Sequence, residues 1–353
     1  MGSCWGFKLI LRLFLVWAMA LTSAYAAQTS VLFLNPGKVQ ESFWGDVDEL
    51  MAAAAEDLDL KLEVFHAARE HYRMAEFLAE RLKRPPLPDY VVLTNEKQVG
   101  PKLLQLLHSY PIPVLFILND LAPEPRVELL RDPHWIQYLL PAVVPDNGWV
   151  GEQTMAKLLS LGTARAPLVV MLSGDKVTPA SVARDAGAKE ALLHHAQAHL
   201  LQQVYGQWDE PMAYAQMQVL LRRYPQLTHV WTANDHMVFG ALRALKEAGR
   251  TPGRDVWLSS VNTSAQVLQL RRQGSISVLG GGHFVAGALG LLLIDEHRAG
   301  RPLPSVTDLS FFALIEPDTP LFARLVQRQW RSIEFKRLQQ RQEQLIHLET
   351  WFY

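Results

Sequence analysis

A chain of 353 residues, 49% hydrophobic and 20% charged, has an ordinary globular composition and room for about two domains. A formal net charge of -1 supplies no field that gathers a polyanion, which argues against nucleic acid as a partner. Cys4 is the single cysteine, so a chain cleaved beyond it has no disulfide, no thiol nucleophile and no cysteine-based metal site.

The N-terminus carries Lys8 and Arg12, then an apolar run over 13–21, then Ala24-Tyr25-Ala26. That order of charged, apolar and small residues predicts a cleavable signal peptide over residues 1–26. The apolar run is shorter than the roughly 20 residues of a membrane span, which favours cleavage over an anchor. Cys4 precedes the run, whereas a lipid-modified cysteine follows it. An exported, cysteine-free α/β chain points to a bacterial periplasm.

From Ser30 onward strands and helices alternate. Strands are expected at 31–34, 62–65, 90–93 and 114–118, with helices at 44–55, 70–82 and 99–108 between them. Continuous apolar runs suit strands buried on both faces, and the βαβα order implies a parallel sheet covered by helices. The stretch 120–140, with Pro123, Pro125 and Pro133, reads as irregular. After Pro145-Asp146-Asn147-Gly148 a second series begins: a helix at 151–161, a strand at 168–172, a long helix at 180–199, a strand at 201–205 and a helix at 210–223. Strand 229–232 and its helix follow, then strands at 256–261 and 275–279. Gly280-Gly281-Gly282-His283 opens an apolar helix at 286–294, and three glycines permit a hinge or a close approach to ligand. No GxxxxGK[ST] phosphate loop is present. Past Pro317, Phe322, Leu325, Val326, Trp330 and Ile333 form a helical stripe decorated with arginines, which fits packing on the chain's own domain, or a partner or membrane surface.

The most informative stretch is HVWTANDHMVFGALRALKEAGR, His229 to Arg250. Asn234 and Asp235 fall in the turn at the carboxyl end of a strand, where open parallel sheets form their ligand crevice; each also suits helix capping. Arg184, in Arg184-Asp185-Ala186-Gly187, has no carboxylate three or four residues away to pair with on its helix. Trp44 fits either core packing or an aromatic ligand face, and His283 fits a structural hydrogen bond or ligand contact.

Together, Asn234-Asp235 in its strand–helix setting, the RxxG opening at Arg184 and Asp146-Asn147 at the crossing resemble the type I periplasmic sugar-binding protein superfamily, which includes ribose-binding proteins and the LuxP-type autoinducer-2 receptor. The resemblance covers about residues 30–317. It implies two doubly wound parallel-sheet lobes joined by a three-crossing hinge. The first lobe is expected over 27–145 plus about 281–307, the second over 146–280 plus about 308–320, and an amphipathic helical extension over 321–353. It further implies a ligand site of Phe43, Trp44, Asn119, Arg184, Asn234 and Asn262, with Asp146, Asn147, Asp235 and Gly281 as hinge or cap residues. Within the turn, Asp235 is expected to cap the helix and Asn234 to turn its amide into the cleft. The chain departs from the LuxP pattern at Val39, Glu41, Asn262 and Gly281, which argues against autoinducer-2 as ligand, and Asn262 replaces the aspartate usual in the superfamily.

The chemistry fits independently: polyhydroxylated ligands need amides and a guanidinium fork in fixed directions, and an aromatic face for their C–H surface. The expected function is a periplasmic solute-binding protein that closes on a small polar, carbohydrate-like ligand and reports it to an inner-membrane sensor kinase or cyclase. The alternative is the binding component of an ABC permease for sugar uptake. No cofactor or metal is expected. Without GxSxG or HExxH, and with adjacent His194 and His195 unable to share a helix face, catalysis is not expected either.

Overall fold

The computed structural model describes residues 28–39, 41–162, 166–303, 310–340 and 347–352. The signal-peptide expectation over 1–26 and the lobe boundary expected at 307–308 lie outside them. The chain forms two α/β lobes.

The first sheet contains β1 (Thr29–Asn35), β2 (Leu60–His66), β3 (Tyr90–Leu93) and β4 (Val114–Phe116), all parallel, in the order β2-β1-β3-β4. Helices α1 (Ser42–Asp57), α2 (His71–Arg81) and α3 (Gly100–Leu107) make the crossovers. Strand β1 shows why its sequence is uninterrupted apolar: Val31 and Phe33 enter one core, while Leu32 and Leu34 enter another on the opposite face. Each such side chain stabilises the fold by about 1.5–3 kcal/mol on burial.

The stretch expected to be irregular contains two short helices, α4 (Pro123–Leu129) and α5 (Pro133–Tyr138). Their prolines occupy the first turn, where the missing N–H costs nothing; Asp132 caps α5 by accepting from the His134 N–H at 2.9 Å. Proline read as a breaker was here a helix starter.

The second sheet runs β10-β9-β8-β7-β5-β6. Its members are β5 (Leu168–Ser173), β6 (His199–Tyr205), β7 (His229–Thr232), β8 (Trp257–Val261), β9 (Val278–Gly281) and the antiparallel β10 (Ala313–Leu314). Around it lie α6 (Asn147–Leu159), α7 (Pro179–Leu193), α8 (Glu210–Arg223), α9 (Asp235–Glu247) and α10 (Ala265–Arg272). Helix α7 stops at Leu193, short of the expected 199, and His199 instead opens β6. Asp146 caps α6 through the Trp149 N–H at 2.9 Å.

Helices α6 and α7 touch backbone to backbone. A Cβ at Gly187 would fall 1.9 Å from the Gly148 carbonyl oxygen, and one at Gly151 would fall 2.1 Å from the Arg184 carbonyl oxygen. These glycines set how deeply α7, and Arg184 on it, sits against the start of α6.

Beyond β9 the chain returns to the first lobe as α11 (Ala286–Arg298), whose Gly287 abuts Met51 and Val47 of α1. Gly281, expected as a hinge or cap residue, is the last residue of β9, and the left-handed backbone falls on Gly282, with φ 109. After β10, α12 (Pro320–Gln327) rests on the second lobe, with the Arg272 guanidinium 5.1 Å from the Phe322 ring centre. The extension expected to be one amphipathic helix is broken at Arg328, where φ is 51. Arg328 then pairs with Asp46 and Glu49 of α1, Trp330 packs on Phe284, and α13 (Phe335–Gln339) follows, its Lys336 N–H donating to Asp57 at 2.9 Å. The chain therefore passes from the second lobe to the first at Arg328, a passage that is not among the three crossings the sequence led one to expect.

Candidate functional site

The carboxyl ends of both parallel sheets face a cleft between the lobes, as the strand–turn–helix pattern requires. Phe43, Trp44, Arg69, Glu96, Asn119, Thr178, Ala180, Arg184, Trp208, Asn234, Asn262 and His283 line a cavity there. All six expected ligand residues are among them. A wider concavity of about 990 Å³ is lined by residues between Arg324 and Phe352, so it belongs to the C-terminal segment and not to the cleft.

From the first lobe, Phe43 and Trp44 project from the first turn of α1, their rings edge to face at 5.2 Å. Trp44 is buried, packs against Phe33 and lies where a side chain at Gly37 would be, so it serves the core and the cleft together. Asn119 follows β4, and its Oδ1 accepts from the Ala180 N–H of the second lobe at 2.8 Å.

From the second lobe, Arg184 is 4% exposed. Its Nε donates to Asn147 Oδ1 at 2.9 Å and its Nη1 to the Ala233 carbonyl at 2.7 Å, while Nη2 lies 3.0 Å from His283 Nε2. Burial pushes the guanidinium down to about 9; Asp235 and Asp185 oppose this from a distance, without an ion pair to it among the described residues. A cation placed so awaits electron-rich oxygens.

The capping expectation is reversed. Asn234 is the N-cap of α9, its Oδ1 accepting from the Met237 N–H at 3.0 Å; its amide nitrogen, which also reaches the Trp208 carbonyl at 3.5 Å, has one hydrogen left for the cleft. Asp235 is fully buried; its Oδ1 accepts from Asn262 Nδ2 at 2.7 Å and its Oδ2 from the Ser42 hydroxyl at 2.8 Å. Both residue types cap well, and the choice falls to the residue with extended backbone just before the helix, here φ -154 at Asn234. Asn262 itself has φ 109, a backbone angle that non-glycine residues rarely take.

Several site residues were not anticipated. Arg69 binds Glu41 and Glu96, with 3.3 Å to Glu96, and burial raises the Glu96 carboxyl. Trp208 is oriented by its Nε1–H on Asp175 at 2.8 Å, over the open face of Gly174. Thr178, Arg69, Glu96 and Trp208 all follow strand ends within a few residues, the same signal that marked Asn119 and Asn234. His283, for which the sequence left a structural hydrogen bond and a ligand contact both open, stacks between Phe43 and Phe312 at 4.4 Å on each side.

The lobes meet directly. Besides Asn119–Ala180 and Ser42–Asp235, the Lys97 N–H donates to Thr178 Oγ1 at 3.2 Å and Gln98 Nε2 to the Val177 carbonyl at 3.2 Å. This is a closed conformation, with polar walls matched across the cleft.

Beside the cleft, Asp185 is 6% exposed and its Oδ1 finds no hydrogen-bond partner among the described residues. Burial raises its carboxyl from 3.8 to about 6. The folded chain thus binds this proton more tightly than the unfolded one. Stability falls as pH rises from about 4 to 6, and the full penalty, at most about 3 kcal/mol, persists above that window. Asp185→Asn keeps the acceptor for Gln203, 2.7 Å away. The expected result is a higher melting temperature at pH 7.5 and a smaller gain on acidification from pH 7 to 5, measured by calorimetry; Asp46, likewise raised to about 6, retains its own share.

Comparison with known proteins agrees with this geometry. Residues 31–282 match a family model described as a periplasmic binding protein domain. The crystal structure of a periplasmic sugar-binding protein from Pseudomonas fluorescens superposes with TM-score 0.78 at 33% identity, covering 88% of this chain and 94% of that one. Two curated relatives are similar over shorter stretches: a D-apiose import binding protein of Actinobacillus succinogenes, 30% identical over 147 residues, and the D-allose-binding periplasmic protein of Escherichia coli, 26% identical over 164 residues. The matches span 41% and 46% of this chain but only 44% and 52% of those relatives' own lengths.

Proposed function

Since the chain belongs to the periplasmic binding protein family, we propose that it captures a small carbohydrate in the interlobe cleft and delivers it to an ABC permease, without catalysis. One observation carries the binding reading: Arg184 is buried and unpaired by any ion pair among the described residues, yet points its donors into a cleft whose other walls are amides and aromatic rings. Planar amides and a guanidinium match hydroxyl and ring oxygens, and Phe43, Trp44 and Trp208 offer faces to C–H surface. The direct interlobe bonds support a hinge-closing mechanism in which ligand shifts the population toward the closed form.

The names of the two curated relatives, an import binding protein and an allose-binding protein, support uptake over the sensory role expected from the sequence. A periplasmic location follows from the same reading. Thermal shift with D-apiose, D-allose, D-ribose and L-arabinose tests it. At 100 times Kd a ligand adds about 2.7 kcal/mol, a rise of roughly 4 °C in Tm for a chain of this length. A broad sugar panel that leaves Tm unmoved overturns the binding reading. Co-purification with a sensor kinase, and not with a permease, overturns the uptake reading, and sugar recovered chemically altered overturns the non-catalytic one.

A further inference from the structure

We infer that His283 reads the ligand directly: its Nδ1–H donates to an oxygen of the bound sugar, beside the donors of Arg184. The inference rests on the carbohydrate-binding reading and adds a specificity residue to it.

The proton's position follows from the partner. A guanidinium can only donate, so the 3.0 Å contact from Arg184 Nη2 makes His283 Nε2 an acceptor. A neutral imidazole that accepts at Nε2 carries its hydrogen on Nδ1. Burial, then the neighbouring Arg184 charge, hold the ring neutral, well below the ordinary histidine range. Nδ1 is buried and has no hydrogen-bond partner among the described residues. Leaving such a group unpaired is costly, and native structures rarely do so without a reason.

The ring cannot turn away to relieve this. Phe43 and Phe312 hold it between them at 4.4 Å, with interplanar angles of 18° and 30°. His283 is 3% exposed and lines the same cavity as Arg184 and Asn234. Two adjacent donors, one cationic, select a ligand edge bearing two acceptor oxygens, such as a ring oxygen with its neighbouring hydroxyl. They disfavour an ammonium group at that edge.

Two variants separate the ring's atoms. His283→Gln keeps an acceptor near the Nε2 position for Arg184 but has no donor at Nδ1; His283→Asn places an amide donor near Nδ1 and gives up Arg184. Titration calorimetry of each purified variant, with D-apiose, D-allose, D-ribose and L-arabinose, is expected to show about tenfold or greater loss for Gln on whichever sugar wild type binds best. Asn is expected to retain more affinity than Gln. In ¹⁵N-histidine-labelled wild type, the His283 signals should report the Nδ1–H tautomer, with the Nδ1 resonance moving on addition of sugar; this arm decides the matter where a variant fails to fold.

Gln binding as tightly as wild type, Asn binding more weakly than Gln, an Nε2–H tautomer, or an Nδ1 resonance indifferent to a sugar that binds would each overturn the inference. In those outcomes sugar still binds wild type, so the binding reading stands. If wild type binds no sugar, that reading fails and the inference falls with it.

Discussion

Arg184→Ala abolishes the sugar-induced rise in melting temperature and leaves the unliganded protein folded. Hydrogen bonds to charged groups are worth about 1.5–3 kcal/mol each, so losing two to a ligand weakens binding by about 100-fold or more. The unliganded fold tolerates the change because burial already works against this charge, pushing the group down to about 9. Water entering the cleft can satisfy Asn147 and the Ala233 carbonyl, which Arg184 holds in the closed form. Arg184→Lys should fail nearly as badly, since an ammonium cannot reproduce three directed contacts. Titration calorimetry with the sugar that shifts wild type provides the check. Unchanged affinity in the alanine variant would remove Arg184 from the site.

The second large effect is expected far from any ligand. Gly187→Ala drives a methyl group into the Gly148 carbonyl oxygen, 1.9 Å from the ideal position, and towards the Glu152 nitrogen at 2.9 Å. Both obstacles are backbone, so no rotamer change relieves the clash and the helices must separate. A loss of about 3 kcal/mol follows, the upper end of ordinary overpacking, or roughly 4 °C in Tm. Arg184 lies one turn earlier on α7, so affinity should fall with stability. Gly45→Ala is the control: it sits in α1 with nothing within 4 Å of the added carbon, and replacing a helical glycine should stabilise by about 0.5–1 kcal/mol. Similar losses from both substitutions would refute the close-packing account.

The alternation of strands and helices was legible because both core faces of β1 are apolar, a pattern that needs no tertiary information. So was the location of the cleft, which follows from strand order and helix starts. What could not be read was the division of labour between neighbours. Asn234 and Asp235 are equally good caps, and only backbone angles assign the role to Asn234. Glu41, Arg69 and Glu96 are 28 and 27 residues apart in pairs; their ion network depends on three separate strand ends converging, which no local pattern announces. The C-terminal segment showed helical spacing throughout, yet a single left-handed residue, Arg328, redirects it to the first lobe, where Asp46 and Glu49 await its charge.

At Asn262 the backbone limits what evolution can write. A φ of 109 excludes branched and bulky residues at low cost and leaves a short alphabet of glycine, asparagine and aspartate. Asp235 then chooses among these letters. Its Oδ1 takes a hydrogen bond from the Asn262 amide at 2.7 Å, which an ionised aspartate could not give and glycine would leave empty. The cleft residue that differs from the superfamily's usual aspartate thus suits both its own main chain and the carboxylate beside it. A change of ligand preference at this wall therefore involves positions 235 and 262 as a coupled pair.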